Sequence, residues 1–127
     1  MMPYWKSVAT ACLMELAALE KAVVTLPRQI VLCRGTGPYH SDQRLDATVR
    51  RFRLERQLQE SRERAKRVKK ALGALTPQEQ LVLRLLYVAP EAGNVEYLCG
   101  VLDCQQATVY RRRDRALRKF AKAMFGS

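Results

Sequence analysis

From Asp42 to Leu72 the chain contains neither glycine nor proline, and helix-forming residues dominate it. A run of that length without a breaker commits the backbone to one long helix, because nothing in it supplies a turn or a positive φ. The remainder agrees. All 127 residues include only 6 glycines and 5 prolines, no stretch alternates apolar with polar residues as a half-buried strand does, and there is no internal repeat. The chain therefore reads as all-α, with long N-terminal helices at about 4–33 and 42–72 and shorter ones after them. Its length suits one compact domain, or a small domain with a helical extension, and 48% hydrophobic residues are enough for a core.

The first helix carries an apolar stripe. Trp5, Cys12, Leu19, Leu26 and Cys33 recur every seven residues, and Ala9, Leu16, Val23 and Ile30 follow the first four of them by four. This 4-3 spacing keeps one face apolar over four heptads. Such a helix either packs within its own chain or also pairs with a second subunit, a homo-oligomer through the 5–33 stripe. Pro27 interrupts the pattern and predicts a kink or a break. Residues Arg34 to Ser41 (RGTGPYHS) form a loop, with Ser41 or Asp42 as the next N-cap.

The formal net charge is +11, from 23 Lys and Arg against 12 Asp and Glu. It is unevenly spread. Residues 44–70 carry +7, residues 105–122 carry +6, and everything else sums to −2. A surplus of this size points to a polyanion, nucleic acid first. On the second long helix, Leu45, Val49 and Phe52, then Leu58, Ala65, Val68, Leu72 and Leu75 mark an interrupted inner face. The spacing of Glu60–Arg64 and Glu63–Arg67 fits a solvated, ion-paired surface there. The excess positive charge leaves this helix open to three readings: a DNA flank, a solvated face or a contact with RNA polymerase.

Gly73 divides a helical N-terminal region, 1–73, from a C-terminal region, 74–127. Thr76-Pro77-Gln78-Glu79 is a capping box with proline at the first helical position. Leu81, Val82, Leu85 and Leu86 give that helix an apolar face up to Ala89-Pro90. Asn94 is the next N-cap, before a short helix at 95–102 with Val95, Leu98 and Leu102 inward. Asp103-Cys104 makes a turn, and a basic helix runs from about Gln105 to Met124. Short helix, tight turn and longer basic helix in this order read as a helix-turn-helix. Cys99 is small where the second helix must cross closely, Asp103 tolerates the positive φ that the turn requires, and Val109 anchors the second helix against Val95 and Leu98.

At 100° per residue, Val109, Ala116, Leu117, Phe120 and Met124 fall on one side of the last helix. Ala107, Arg111, Arg118 and Lys122 fall on the other, with Thr108 and Arg115 beside them. A helix in the major groove needs base-reading side chains in its first turns and phosphate-binding cations around them. Gln106, Thr108, Tyr110 and Arg111 suit base reading, with Arg forking onto guanine and Gln onto adenine. Arg112, Arg113, Arg115, Arg118 and Lys122 suit phosphate contact. A merely solvated basic helix is the plain alternative.

The stretch L-C-G-V-L-D-C-Q-Q-A-T-V-Y-R-R-R-D-R-A-L-R-K-F resembles region four of bacterial sigma factors, through Leu98, Leu102, Val109, Arg115, Ala116, Leu117, Lys119 and Phe120. The preceding L-T-P-Q-E-Q-L-V-L-R-L-L-Y is similar to that family's first helix, so the resemblance spans about residues 72–122. The whole arrangement, with Tyr4-Trp5 near the start and a long basic middle helix, is similar to small phage and prophage regulators of the ArpU/RinA kind. That resemblance implies a cytoplasmic transcriptional activator of late phage genes in a bacterial host cell. It also implies double-stranded DNA and RNA polymerase as partners, and no catalysis. Three positions depart from the sigma pattern. Gln105 stands at the usual serine N-cap, Arg112 replaces an apolar residue, and Ala107 replaces an acidic base-contacting residue, so promoter specificity does not carry over.

Two other readings compete: a phage small terminase subunit, and an interaction module that docks on RNA polymerase without reading bases. Loss of Arg111, Arg115 and Arg118 would spare only the docking module. An enzyme is disfavoured, since one histidine (His40), four scattered serines and no phosphate-cradling glycine loop assemble no catalytic site. Cys12, Cys33, Cys99 and Cys104 lack the spacing of a zinc site and read as reduced thiols, so no metal or other cofactor is expected. The first apolar stretch is too short and too charged to span a membrane.

Overall fold

The computed structural model of the chain describes residues 4–33 and 41–126; the loop predicted at Arg34–Ser41 lies outside them except for Ser41, which begins the second helix. The described residues form five helices and no strand, as the all-α reading expects. They are α1 (Tyr4–Cys33), α2 (Ser41–Gly73), α3 (Pro77–Leu83), α4 (Asn94–Leu102) and α5 (Gln106–Phe125). A π-helical stretch, Arg84–Val88, continues α3. The chain groups into two compact units, Ala18–Ala65 and a unit made of Met1–Ala17 with Lys66–Ser127. Composition alone places a division at Gly73.

In the Ala18–Ala65 unit, Leu26 and Ile30 of α1 bury against Leu58 of α2, with Ala22 and Leu54 packed beside them. Of the kink or break expected at Pro27, the break does not occur: α1 runs on through it. Proline costs a helix interior about 3 kcal/mol. Burying an aliphatic side chain returns roughly 1.5–3 kcal/mol, and the leucine before Pro27 and the isoleucine three residues after it are both buried. Packing therefore outweighs the missing hydrogen bond. Of the stripe on α1, Ala9, Leu16, Leu19, Leu26 and Ile30 are buried and Trp5, Cys12, Val23 and Cys33 half-buried; Leu13, which the heptad count passes over, is buried too.

The predicted inner face of α2 needs correction in its first half. Leu45, Val49 and Phe52 are exposed, whereas Leu58, Ala65, Val68 and Leu72 are buried as expected. Helix phase is the reason. The 13 residues from Leu45 to Leu58 turn the helix by about 140° relative to whole turns, so the two groups cannot share a face. Among the ion pairs along α2 are Arg51–Glu55 at 3.9 Å and Arg56–Glu60 at 3.5 Å. Arg56–Glu60 is exposed and Arg51–Glu55 half-buried, and such i,i+4 helix pairs contribute roughly a few tenths of a kcal/mol.

In the other unit, α3 begins as its sequence predicts. The Thr76 hydroxyl accepts the Glu79 amide at 3.3 Å, the Glu79 carboxylate accepts the Thr76 amide at 3.0 Å, and Pro77 opens the helix. Thr76→Ala removes half of this reciprocal cap and is expected to cost about 1 kcal/mol, read as a lower denaturant midpoint with unchanged slope.

Asn94 does not act as the N-cap of α4. Gly93 holds that place at φ +85°, and Asn94 is the first helical residue. Its side-chain amide donates back to the carbonyls of Leu85 and Ala89. It thus serves the C-terminal end of the preceding helix, whose π-turn closes with the Ala89 amide on the Arg84 carbonyl at 2.9 Å. The left-handed glycine turns the chain sharply enough to bring that amide within reach. Val82, Leu98 and Val109 form the buried cluster joining α3, α4 and α5, with Leu81, Leu85, Leu86, Cys99, Leu102 and Cys104 around it.

Candidate nucleic-acid interface

Three residues, Asp103 to Gln105, connect α4 to α5. Asp103 takes the left-handed conformation at φ 51°, ψ 56°, as the turn was expected to demand. The carbonyl of Cys99 accepts the amides of both Asp103 and Cys104, which closes the end of α4. Cys99 is half-buried in the joining cluster, consistent with a small residue at a close crossing. Gln105 is the N-cap of α5, and its side chain makes no capping hydrogen bond. The departure from serine at this position thus leaves the first turn of α5 to its own backbone, where Gln105 O accepts from Thr108 and Val109.

The buried side of α5 consists of Val109, Ala116, Leu117, Phe120 and Ala121. Met124, predicted for this side, is only half-buried. On the opposite side, Arg111, Arg115, Arg118 and Lys122 are exposed and fall within about 60° of one another. Thr108, half-buried, lies at the edge of that sector. These five predicted site residues form one face along about four turns.

The other four do not join it. Tyr110 and Gln106 lie about 100° and 140° from Arg111 around the helix axis. The Gln106 amide donates to the Tyr110 hydroxyl at 3.4 Å, so the two form a pair of their own on the flank. Arg112 turns to the opposite flank, half-buried, and lines a cleft of about 300 Å³ with Thr76, Gln78, Glu79, Val82, Arg115 and Lys119. Arg113 is engaged inside the protein. Its guanidinium meets Asp114 at 3.0 Å and lies 5.0 Å from the Tyr110 ring centroid. Arg113, expected at phosphates, thus already meets a carboxylate and an aromatic ring within the protein.

Two ion pairs across the unit escape sequence reasoning. Lys6 of α1 reaches Asp114 at 3.0 Å, and Lys119 reaches Glu79 at 3.0 Å. The capping box marks Glu79 as important to α3, but nothing in the sequence pairs it with a residue forty positions on. Burial pushes both carboxyls up, yet hydrogen bonds and cations overcome it. Glu79 is held below its ordinary value by the Thr76 backbone, Lys119 and the Thr76 hydroxyl, and Asp114 by Lys6 and Arg113. Tyr87 nearby is half-buried, and that burial pushes its phenol up.

Because both carboxyls are depressed in the folded state, their contribution is complete above their ordinary values of 4.5 and 3.8. It is lost as pH falls from there through the lowered folded values. The thermal midpoint is thus expected to be level between about pH 7 and 5 and to drop on further acidification. A midpoint that stayed level down to pH 2 would contradict these assignments.

Among the described residues no helix is long and apolar enough to cross a membrane. No protein-family model, curated protein or solved structure matches this chain.

Proposed function

We propose that the chain is a sequence-specific, double-stranded DNA-binding transcriptional regulator that lays the N-terminal half of α5 in the major groove. On its resemblance to ArpU/RinA-like regulators, we further propose an activator of a phage or prophage late operon, acting in the cytoplasm of a bacterial host cell. One observation carries the reading: Arg111, Arg115, Arg118 and Lys122 share the exposed face of a helix whose opposite side is buried. A groove-bound helix needs that division, with cations toward phosphates and base edges and an apolar side toward its own domain. Base readout rests on Arg111 and Thr108 on this face and on the Gln106–Tyr110 pair beside it.

Selection of bound sequences from a random duplex library at fixed salt tests the proposal. A single enriched motif is the expected result, with the logarithm of affinity falling linearly in log salt. Equal recovery of all sequences would leave phosphate attraction alone and remove sequence reading.

A second reading, docking on RNA polymerase without base readout, has one feature in its favour. The exposed Leu45, Val49 and Phe52 of α2 form an apolar stripe among arginines, as a protein-binding helix would. The two readings separate at Arg111, Arg115 and Arg118, whose loss a docking module tolerates.

A further inference from the structure

Asp114 is the one acidic residue in α5, in the middle of its cationic run. Its Oδ1 accepts Lys6 Nζ from α1 at 3.0 Å, together with Nη2 and Nε of Arg113 at 3.0 and 3.1 Å. The guanidinium so held covers the Tyr110 ring, and the Tyr110 hydroxyl accepts the Gln106 amide. An unbroken series of contacts therefore runs from α1 to the first residue of α5. It ends on two residues suited to base reading.

We propose that Asp114 is a positioning residue that sets the specificity of DNA reading: it withholds Arg113 from phosphates and fixes it against Tyr110, with Lys6 as the second cation of the clamp. This rests on the DNA-binding reading above. Without the carboxylate, Lys6 and Arg113 repel each other and are drawn to any nearby phosphate, which strengthens binding to every sequence alike. Tyr110 at the same time loses the planar cation that limits its rotamers, and an unconstrained reader discriminates less. A carboxylate among so many arginines thus lowers total affinity in favour of selectivity.

Salt titrations on the selected duplex and on a scrambled duplex test this, using the full-length protein and three variants. Asp114→Asn, which keeps the shape, is expected to bind the scrambled duplex more tightly, with a salt slope steeper by about 1. Its selected-to-scrambled ratio should fall by about 3- to 10-fold. Arg113→Met is expected to lower that ratio while leaving the slope unchanged, because Arg113 touches no phosphate. Arg118→Met is the contrast: its slope should drop by about 0.9 with the ratio preserved.

A slope reduction in Arg113→Met equal to that of Arg118→Met overturns the proposal, since Arg113 would then be a phosphate contact. So does a ratio unchanged in both Asp114→Asn and Arg113→Met. Thermal midpoints of all variants identify a purely structural role, which would weaken binding to both duplexes equally and also overturn it. A wild type that binds neither duplex defeats the DNA-binding reading itself, a result distinct from these.

Discussion

Arg111→Ala is expected to weaken binding to the selected duplex by roughly 1–3 kcal/mol, about five- to 150-fold, and to relax discrimination at one base pair. Arg111 is exposed at the N-terminal end of the cationic face, in the second turn of α5, where a groove-bound helix meets base edges. A guanidinium that forks onto guanine loses both hydrogen bonds at once when truncated, and no neighbour on the same line of the helix can replace the geometry. Competition binding with single-base variants of the selected site measures the effect. Equal losses on selected and random duplexes would assign Arg111 to phosphate contact instead. Its thermal midpoint should barely move, because an exposed substitution of this kind stays within about 0.5 kcal/mol.

Phe120→Ala is expected to have the reverse profile. Phe120 is fully buried, and truncating such a ring costs roughly 3–5 kcal/mol from lost burial and the cavity left behind. Small domains hold about 5–15 kcal/mol in total, so the thermal midpoint should fall by on the order of 10–20 °C. Phe120 lies on the side of α5 opposite Arg111, so at temperatures where the variant remains folded its salt slope on duplex DNA should match that of the wild type. Urea unfolding followed by circular dichroism measures the stability change. A loss under 1 kcal/mol would mean that the buried side of α5 can collapse around the gap.

Local signals in the sequence predicted local structure well. The capping box at Thr76, the left-handed Asp103 and the buried side of α5 depend on residues within a few positions of one another. Each follows from backbone stereochemistry or helical period. The errors have two sources. Leu45, Val49 and Phe52 repeat at helical spacing and so resemble a core face, but their phase against Leu58 places them outside; spacing alone does not say which of two apolar faces finds a neighbour. Asn94 has the residue type of an N-cap, yet the glycine before it takes that role and the side chain turns back to Leu85 and Ala89.

The candidate site was legible as a cationic face and illegible as a network. Charge and period identify Arg111, Arg115, Arg118 and Lys122. They say nothing of Lys6 and Asp114, which lie 108 residues apart in the chain. Arg113 has the same residue type as its neighbours on α5, and only the fold distinguishes the arginine already bound to a carboxylate from those facing outward.

Pro27 leaves the carbonyl of Val23 without the amide that an unbroken helix would supply. The seven residues Pro27–Cys33 beyond it are too few to sustain a helix in water alone. Their order depends on Ile30, and through it on Leu58 of α2. The end of α1 is therefore expected to hold its order only with α2 in place, so the proline makes a local helix depend on its neighbour.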